Sequence, residues 1–234
     1  MFKKIIIILS ILSCLYAVPF EKDYVYEIGY FHFPPYCFTN DQGEVAGVFM
    51  KPVIEKLNQE GIKWNATEYT LARFYSNLLK GKIDFAPTLE LPFVKLIYLQ
   101  GTSVAPLEMR IYSKGNKAPV KDKRDLQGKS VILVTGMTYS GWTKYIKKNE
   151  DKITHSRTKN AKTGFKMLQA GRADYFISYK RPANNALKNI DIPKLNYQTL
   201  KKLNSYWFFR KKAPYAKELL AVIDEIATKV NVTE

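Results

Sequence analysis

The sequence predicts an α/β protein made of two similar lobes with a cleft between them. Three observations carry that prediction. The chain writes one phrase twice: Leu78-Leu-Lys-Gly81-Lys-Ile-Asp84-Phe85 is answered ninety residues later by Leu168-Gln-Ala-Gly171-Arg-Ala-Asp174-Tyr175. Each copy closes an amphipathic helix on a Gly that tolerates positive φ and then starts a short apolar run. Short apolar runs also alternate with 3.6-residue periodicity, as expected of a parallel sheet covered on both faces. Finally, 234 residues with 46% hydrophobic and 25% charged content are enough for one large domain or two small ones, each with a packed core.

Val25 to Phe33 alternates and is rich in Tyr, Ile and Phe, which predicts the first strand. Pro34-Pro35 ends it, because two missing amide donors cannot continue a ladder. Asn40-Asp-Gln-Gly43 reads as a turn, and Phe49, Val53, Ile54 and Leu57 give a helix that opens at Gly47 and stops at Gly61. Lys63 to Tyr69 predicts a second strand. Leu71, Phe74, Leu78 and Leu79 form the next helical face, and Ile83 to Pro87 the next strand. Val104 to Ser113 is extended. A second unit follows, with a strand at Ser130 to Thr135, helices at Tyr139 to Lys148 and Lys162 to Ala170, and a strand at Asp174 to Ser178.

A late strand at Ser205 to Arg210 and a closing helix from Pro214 to Val230 complete the chain. The second unit is thus inserted between the first and a C-terminal tail. The expected lobes are residues 18–106 plus 206–234 and residues 107–205. Two crossings, near Ala105 to Leu107 and Leu203 to Tyr206, would make a natural hinge.

Residues 1–17 read as a secretory leader: Lys3 and Lys4 precede the apolar run Ile5 to Leu12, and small or neutral residues follow up to Ala17. Cleavage near Ala17 is the favoured reading. Ile11-Leu-Ser13-Cys14 resembles a lipoprotein box, although Leu12 departs from its usual pattern. Export places the protein in the periplasm. With Cys14 removed, Cys37 stands alone, so a disulfide framework is excluded. Two histidines and no cysteine cluster leave no basis for a metal site, and no cofactor is expected.

The net charge is +16, or +14 once Lys3 and Lys4 are gone (16 − 2). Such a field favours anionic partners. The cations are scattered and the chain is exported, so no nucleic-acid partner is expected, and the protein is expected to act as a monomer.

The ordered set of motifs resembles the bacterial extracellular solute-binding proteins of family 3, with the type II periplasmic binding fold. The matching pieces are the leader, Phe33-Pro-Pro-Tyr36, Gly43 with Gly47, and Leu79-Lys-Gly-Lys-Ile-Asp84. They continue with Leu126-Gln-Gly-Lys-Ser-Val131, Thr135-Gly136, Leu168 to Asp174, and Tyr206-Trp-Phe-Phe-Arg-Lys211, covering nearly the whole exported chain. The resemblance implies two lobes, each a small mostly parallel sheet flanked by helices, that close on a ligand. It further implies delivery of that ligand to the membrane permease of an ABC importer.

By resemblance, Phe33 is the aromatic that stacks on the ligand, with Tyr36 a second candidate beyond the prolines. Thr88 matches the strand end that meets a ligand carboxylate, and Gly136, Met137 and Thr138 match the second lobe's contribution. Those three residues are expected to precede a helix N-terminus, where free amides favour an anion. Two departures follow. Amino-acid binders of the family carry an arginine after the threonine segment, whose planar fork holds an α-carboxylate; here only Lys95 is near. They also carry an acid five positions after the Asp174 equivalent, where this chain has Tyr179.

An ordinary α-amino acid is therefore a poor fit. Aromatic walls from Phe33, Tyr139 and Tyr179, with Arg73, Arg110 or Lys95 as cations, would suit a ring-bearing, anionic or weakly polar small molecule. Binding without catalysis is the expected activity. The alternatives are an enzyme on the same scaffold, dehydratase-like, or a sensory module that presents its ligand to a membrane receptor. Glu90 and His32 are the acid–base candidates for an enzyme, and a partly buried structural role is expected for His32.

Overall fold

A computed structural model describes residues 23–90 and 92–229 of the chain. The leader expected over residues 1–17, with Cys14, lies outside the described residues.

In chain order the elements are β1 (Tyr26–Phe31), β2 (Phe38–Thr39), β3 (Val45–Ala46), α1 (Met50–Gln59), β4 (Trp64–Tyr69), α2 (Leu71–Leu79), β5 (Phe85–Leu89), α3 (Pro92–Ile97) and β6 (Tyr98–Lys114). Then come β7 (Ser130–Val134), α4 (Trp142–Lys148), β8 (Thr154–Thr158), α5 (Ala161–Gln169), β9 (Tyr175–Tyr179), α6 (Lys180–Leu187), β10 (Leu195–Arg210) and α7 (Ala216–Lys229). One hydrogen-bonded sheet of eight strands runs through both lobes in the order β4-β1-β5-β10-β6-β9-β7-β8.

The parallel sets β4-β1-β5 and β9-β7-β8 sit at its two ends. Between them lie the long antiparallel strands β6 and β10. These two strands carry the chain from one set to the other, with Ala105 opposite Ser205 and Leu107 opposite Leu203. The register shifts on both sides of Tyr206, so the ladder is irregular there. The Ser205 hydroxyl donates to the Ala105 carbonyl at 3.1 Å and holds the crossing together.

Helices cover both faces because their apolar stripes demand it. Phe74 and Leu78 of α2 pack on Ile83, Tyr98 and Phe208, while Phe165 and Leu168 of α5 pack on Ile132 and Phe176. A third buried cluster is continuous through both lobes, from Tyr26 and Ile28 in β1 to Val131 in β7 and Ile177 in β9.

The repeated phrase does the same mechanical work twice. Gly81 and Gly171 sit at φ +63° and +69°, and each lets the next amide reach back: Lys82 donates to the Asn77 carbonyl and Arg172 to that of Met167, both at 3.0 Å. The two aspartates then clip neighbouring strands. The Asp84 amide donates to the Glu27 carbonyl at 2.7 Å, and its carboxylate accepts from the Glu27 amide at 3.0 Å. Asp174 does likewise with Ser130, at 3.1 and 3.0 Å.

Asp84 is also held by Arg210, through Nε at 2.7 Å and Nη2 at 2.6 Å, and by the Tyr24 hydroxyl at 3.0 Å. Asp174 takes Lys117 at 2.5 Å. Burial alone would raise the Asp174 pKa, but Lys117 and the Ser130 amide and hydroxyl outweigh it and hold the carboxyl at about 2.

Two sequence expectations change. The helix expected from Tyr139 begins only at Trp142, because Tyr139 and Ser140 are left-handed (φ 47° and 51°) and form a single 3-10 turn with Gly141. The late strand expected at Ser205 is the last third of β10, whose earlier residues are polar and alternate toward solvent.

Candidate functional site

In open α/β sheets, ligands meet the carboxyl ends of the strands. Here the carboxyl ends of the two parallel sets face each other. From the first lobe come Phe33, just past β1, and Thr88 in β5. From the second come the 136–139 turn after β7, and Tyr179, which ends β9.

The predicted aromatic wall is in place and packs on itself across the lobes. The Phe33 ring lies 5.3 Å from that of Tyr179 in an edge-on contact and 4.9 Å from that of Tyr36. Tyr139 lies 5.6 Å from Tyr179. All four are buried. Burial pushes the Tyr139 and Tyr179 hydroxyls well above the ordinary tyrosine range, so both stay neutral near pH 7. Gly47 lets this loop form: at φ +113° its Cα sits so close to Tyr36 that a Cβ would come within 2.3 Å of the Tyr36 carbonyl.

Thr88 is buried, with its hydroxyl 3.4 Å from that of Tyr75. Thr138 is exposed in the turn, and Gly136 faces the first lobe, where a Cβ on it would meet the Leu71 Cβ at 3.8 Å. The expected reason for an anion at Gly136 to Thr138 does not hold, since α4 starts four residues after Thr138, beyond a left-handed turn. Two consecutive non-glycine residues in that conformation cost about 1–2 kcal/mol each, and such strain gathers at functional turns. Thr143 pins the turn by donating from its hydroxyl to the Met137 carbonyl at 2.8 Å.

The predicted cations are elsewhere. Lys95 pairs with Glu90 at 2.5 Å on the flank of an open groove, so neither is an unengaged charge in the cleft. Arg73 is exposed on α2. Arg110 is committed to Glu108 at 2.7 Å and stacks over the Tyr197 ring at 3.9 Å. His32 is exposed, not partly buried, because its strand end faces solvent beside Glu68, 3.3 Å from Nδ1.

The open groove beside Lys95, of about 1010 Å³, also touches both lobes, at Leu89 and at Thr138 and Ser140. Two further compartments between the lobes are divided by Phe33, Met137 and Tyr179, which line both. The compartment beside Thr88 and Thr138 has a volume of about 40 Å³ and is mainly apolar. The other, of about 360 Å³, lies on the far side of Tyr179, between the His32–Pro34 segment and the starts of α5 and α6. Its mouth carries Lys159, Lys162 and Lys188, none of which the sequence singled out. Arg181 in α6 was also missed; its guanidinium lies over the Tyr36 ring at 5.6 Å, across the lobe boundary, with Nη1 buried and without a hydrogen-bond partner. The available signal is the position of Arg181, two residues after Tyr179.

Cys37 is buried, and burial pushes its thiol up to about 12. Among the described residues, no three His, Cys, Asp or Glu side chains gather as a metal site, and no helix is long and apolar enough to cross a membrane.

No family model matches the chain, and no curated protein matches its sequence. Solved structures do match. A histidine kinase sensor domain with similarity to periplasmic binding proteins shares a TM-score of 0.67 at 16% identity, over 88% of this chain and 90% of its own. The holo form of the arginine-binding protein ArgBP from T. maritima gives 0.63 at 22% identity, over 89% and 91%. An ancestral amino acid-binding protein, a precursor of cyclohexadienyl dehydratase, gives 0.63 at 18%, over 88% of each chain. The fold is therefore that of the type II periplasmic binding proteins.

Proposed function

We propose that this chain is an exported solute-binding protein that captures a small molecule between its lobes and delivers it to an ABC-type importer. The carrying observation is that strand carboxyl ends of both lobes meet at one boundary, where Phe33 from the first lobe and Met137 and Tyr179 from the second line the space between them. Ligand contact with both lobes would favour closure about the β6–β10 crossing by differential binding. The ArgBP and ancestral-binder likenesses support capture of a solute.

The ligand is not an ordinary α-amino acid. Lys95, the substitute nearest the threonine segment for an arginine fork, is already paired with Glu90, and Tyr179 offers a neutral ring where an amino group would need a carboxylate. The activity is binding without chemistry, since Glu90 and His32 both stand at the rim with charged partners. The sensor-domain likeness favours one second reading, in which the closed chain is presented to a membrane receptor.

A thermal-shift panel tests the proposal. A ligand at 100 times its Kd adds about 2.7 kcal/mol, or roughly 5–10 °C for a chain of this size. Aromatic or anionic compounds are expected to give shifts of that size and free α-amino acids none. An equally large shift with arginine or glutamine would sink the ligand assignment.

A further inference from the structure

We infer that the compartment beyond Tyr179, and not the one beside Thr88, takes the ligand, and that the ligand is an anion with an apolar body. The inference rests on the solute-binding reading and specifies its site. Space decides first. The groove beside Lys95 is larger, about 1010 Å³, but it is open to solvent and carries Glu90. The compartment beside Thr88 holds about 40 Å³, near the volume share of one water, whereas the one beyond Tyr179 holds about 360 Å³, within the range of small-molecule pockets.

Charge decides next. Three lysines, Lys159, Lys162 and Lys188, line the larger compartment, and no aspartate or glutamate does. Among the described residues none of the three has an acidic partner. Glu68 stands beside His32 at the rim, so His32 is given no charge role.

The wall between the compartments is Phe33, Met137 and Tyr179, an apolar and aromatic surface for the ligand's body. The polar side chains Asn185, in α6, and Asn189, just past its end, can accept from or donate to uncharged groups. Because Phe33 and Pro34 belong to the first lobe and the lysines to the second, an occupant touches both lobes. Closure and binding are thereby coupled. Lys159 comes from the β8–α5 loop, Lys162 from the first turn of α5 and Lys188 from the end of α6, so the site forms only when the second lobe is folded.

Isothermal titration of the purified protein with matched pairs tests this: indole-3-acetate against indole-3-acetamide, and phenyl phosphate against benzyl alcohol. In each pair the anion is expected to bind at least about tenfold more tightly, the value of one charge-assisted contact. A Lys159→Gln/Lys162→Gln/Lys188→Gln variant should lose that preference. A Lys82→Gln/Lys147→Gln/Lys166→Gln variant, with the same charge change at exposed sites away from the cleft, should keep it.

Equal binding of the two members, absence of binding by both anions, or a preference that survives the first variant overturns the inference. The underlying reading is judged separately. Neutral compounds or amino acids that bind wild type but not Tyr179→Ala would leave solute binding standing and remove only this site. A chain that binds nothing in either series would remove both.

Discussion

Asp84 and Asp174 occupy the same place in the repeated phrase, yet their replacement by Asn is expected to cost unequal amounts. Asp84 is 3% exposed at its side chain, and its partner Arg210 is 21% exposed. Its carboxylate takes two guanidinium bonds, the Glu27 amide and the Tyr24 hydroxyl, tying β1, β5 and β10 together. Breaking a buried, hydrogen-bonded pair costs about 3–5 kcal/mol. Arg210 keeps some solvent, so the lower end applies, about 3 kcal/mol.

Asp174 is 26% exposed and its partner Lys117 41%. Solvent screens that pair, and its Ser130 bonds can be partly kept by an amide oxygen, so about 1 kcal/mol is expected. Urea denaturation followed by circular dichroism at pH 7 and fixed salt measures both. The corresponding falls in Tm are about 6–12 °C and about 2–4 °C. Equal losses, or a larger loss for Asp174→Asn, would refute the argument that burial of the ion pair sets its worth.

Three further outcomes are expected. The Asp174 carboxyl titrates at about 2 in the folded chain against an ordinary 3.8, so its contribution is complete above that ordinary value and is lost as pH falls through about 2. The Tm difference between wild type and Asp174→Asn should accordingly shrink between pH 4 and pH 2, and a constant difference would contradict the pairing. Cys37 should resist a thiol reagent at pH 8 until urea is added, because the buried thiol titrates near 12; rapid native labelling would place it at the surface. Tyr179→Ala removes the cross-lobe ring contact, worth about 0.5–1.5 kcal/mol beyond its buried area. By small-angle scattering the variant should exceed the roughly 17 Å radius of gyration of a compact chain of this size, and an unchanged radius would show that the rings do not hold the lobes together.

The scaffold was largely legible because its signals are local. Glycines with positive φ, aspartates at strand starts and apolar stripes each act within a few residues, and Gly81, Asp84, Gly171 and Asp174 do the same work in both lobes. What was missed lacked such signals. β8 is an edge strand of polar residues, Thr154-His-Ser-Arg-Thr158, with no apolar alternation to mark it. α6, Lys180-Arg-Pro-Ala-Asn-Asn-Ala-Leu187, carries a Pro and two Asn, and is anchored by Ala183 and Ala186 against the second lobe's core rather than by propensity.

The site was harder to read. Phe33, Thr88 and Thr138 follow from the resemblance and Tyr179 from its place five residues after Asp174, and the four meet between the lobes. Lys95 is the cation nearest the threonine segment and Arg73 one at a helix start, and tertiary packing gives the first to Glu90 and the second to solvent. Lys159, Lys162 and Lys188 come together only through β8, α5 and α6, so missing β8 and α6 hid the larger compartment as well.

Native mass spectrometry of the protein purified from its own host tests the central claim most directly. The account predicts one small molecule per chain, released by gentle denaturation and lacking the paired α-amino and α-carboxylate groups of a free amino acid. A proteinogenic amino acid in that position would contradict it.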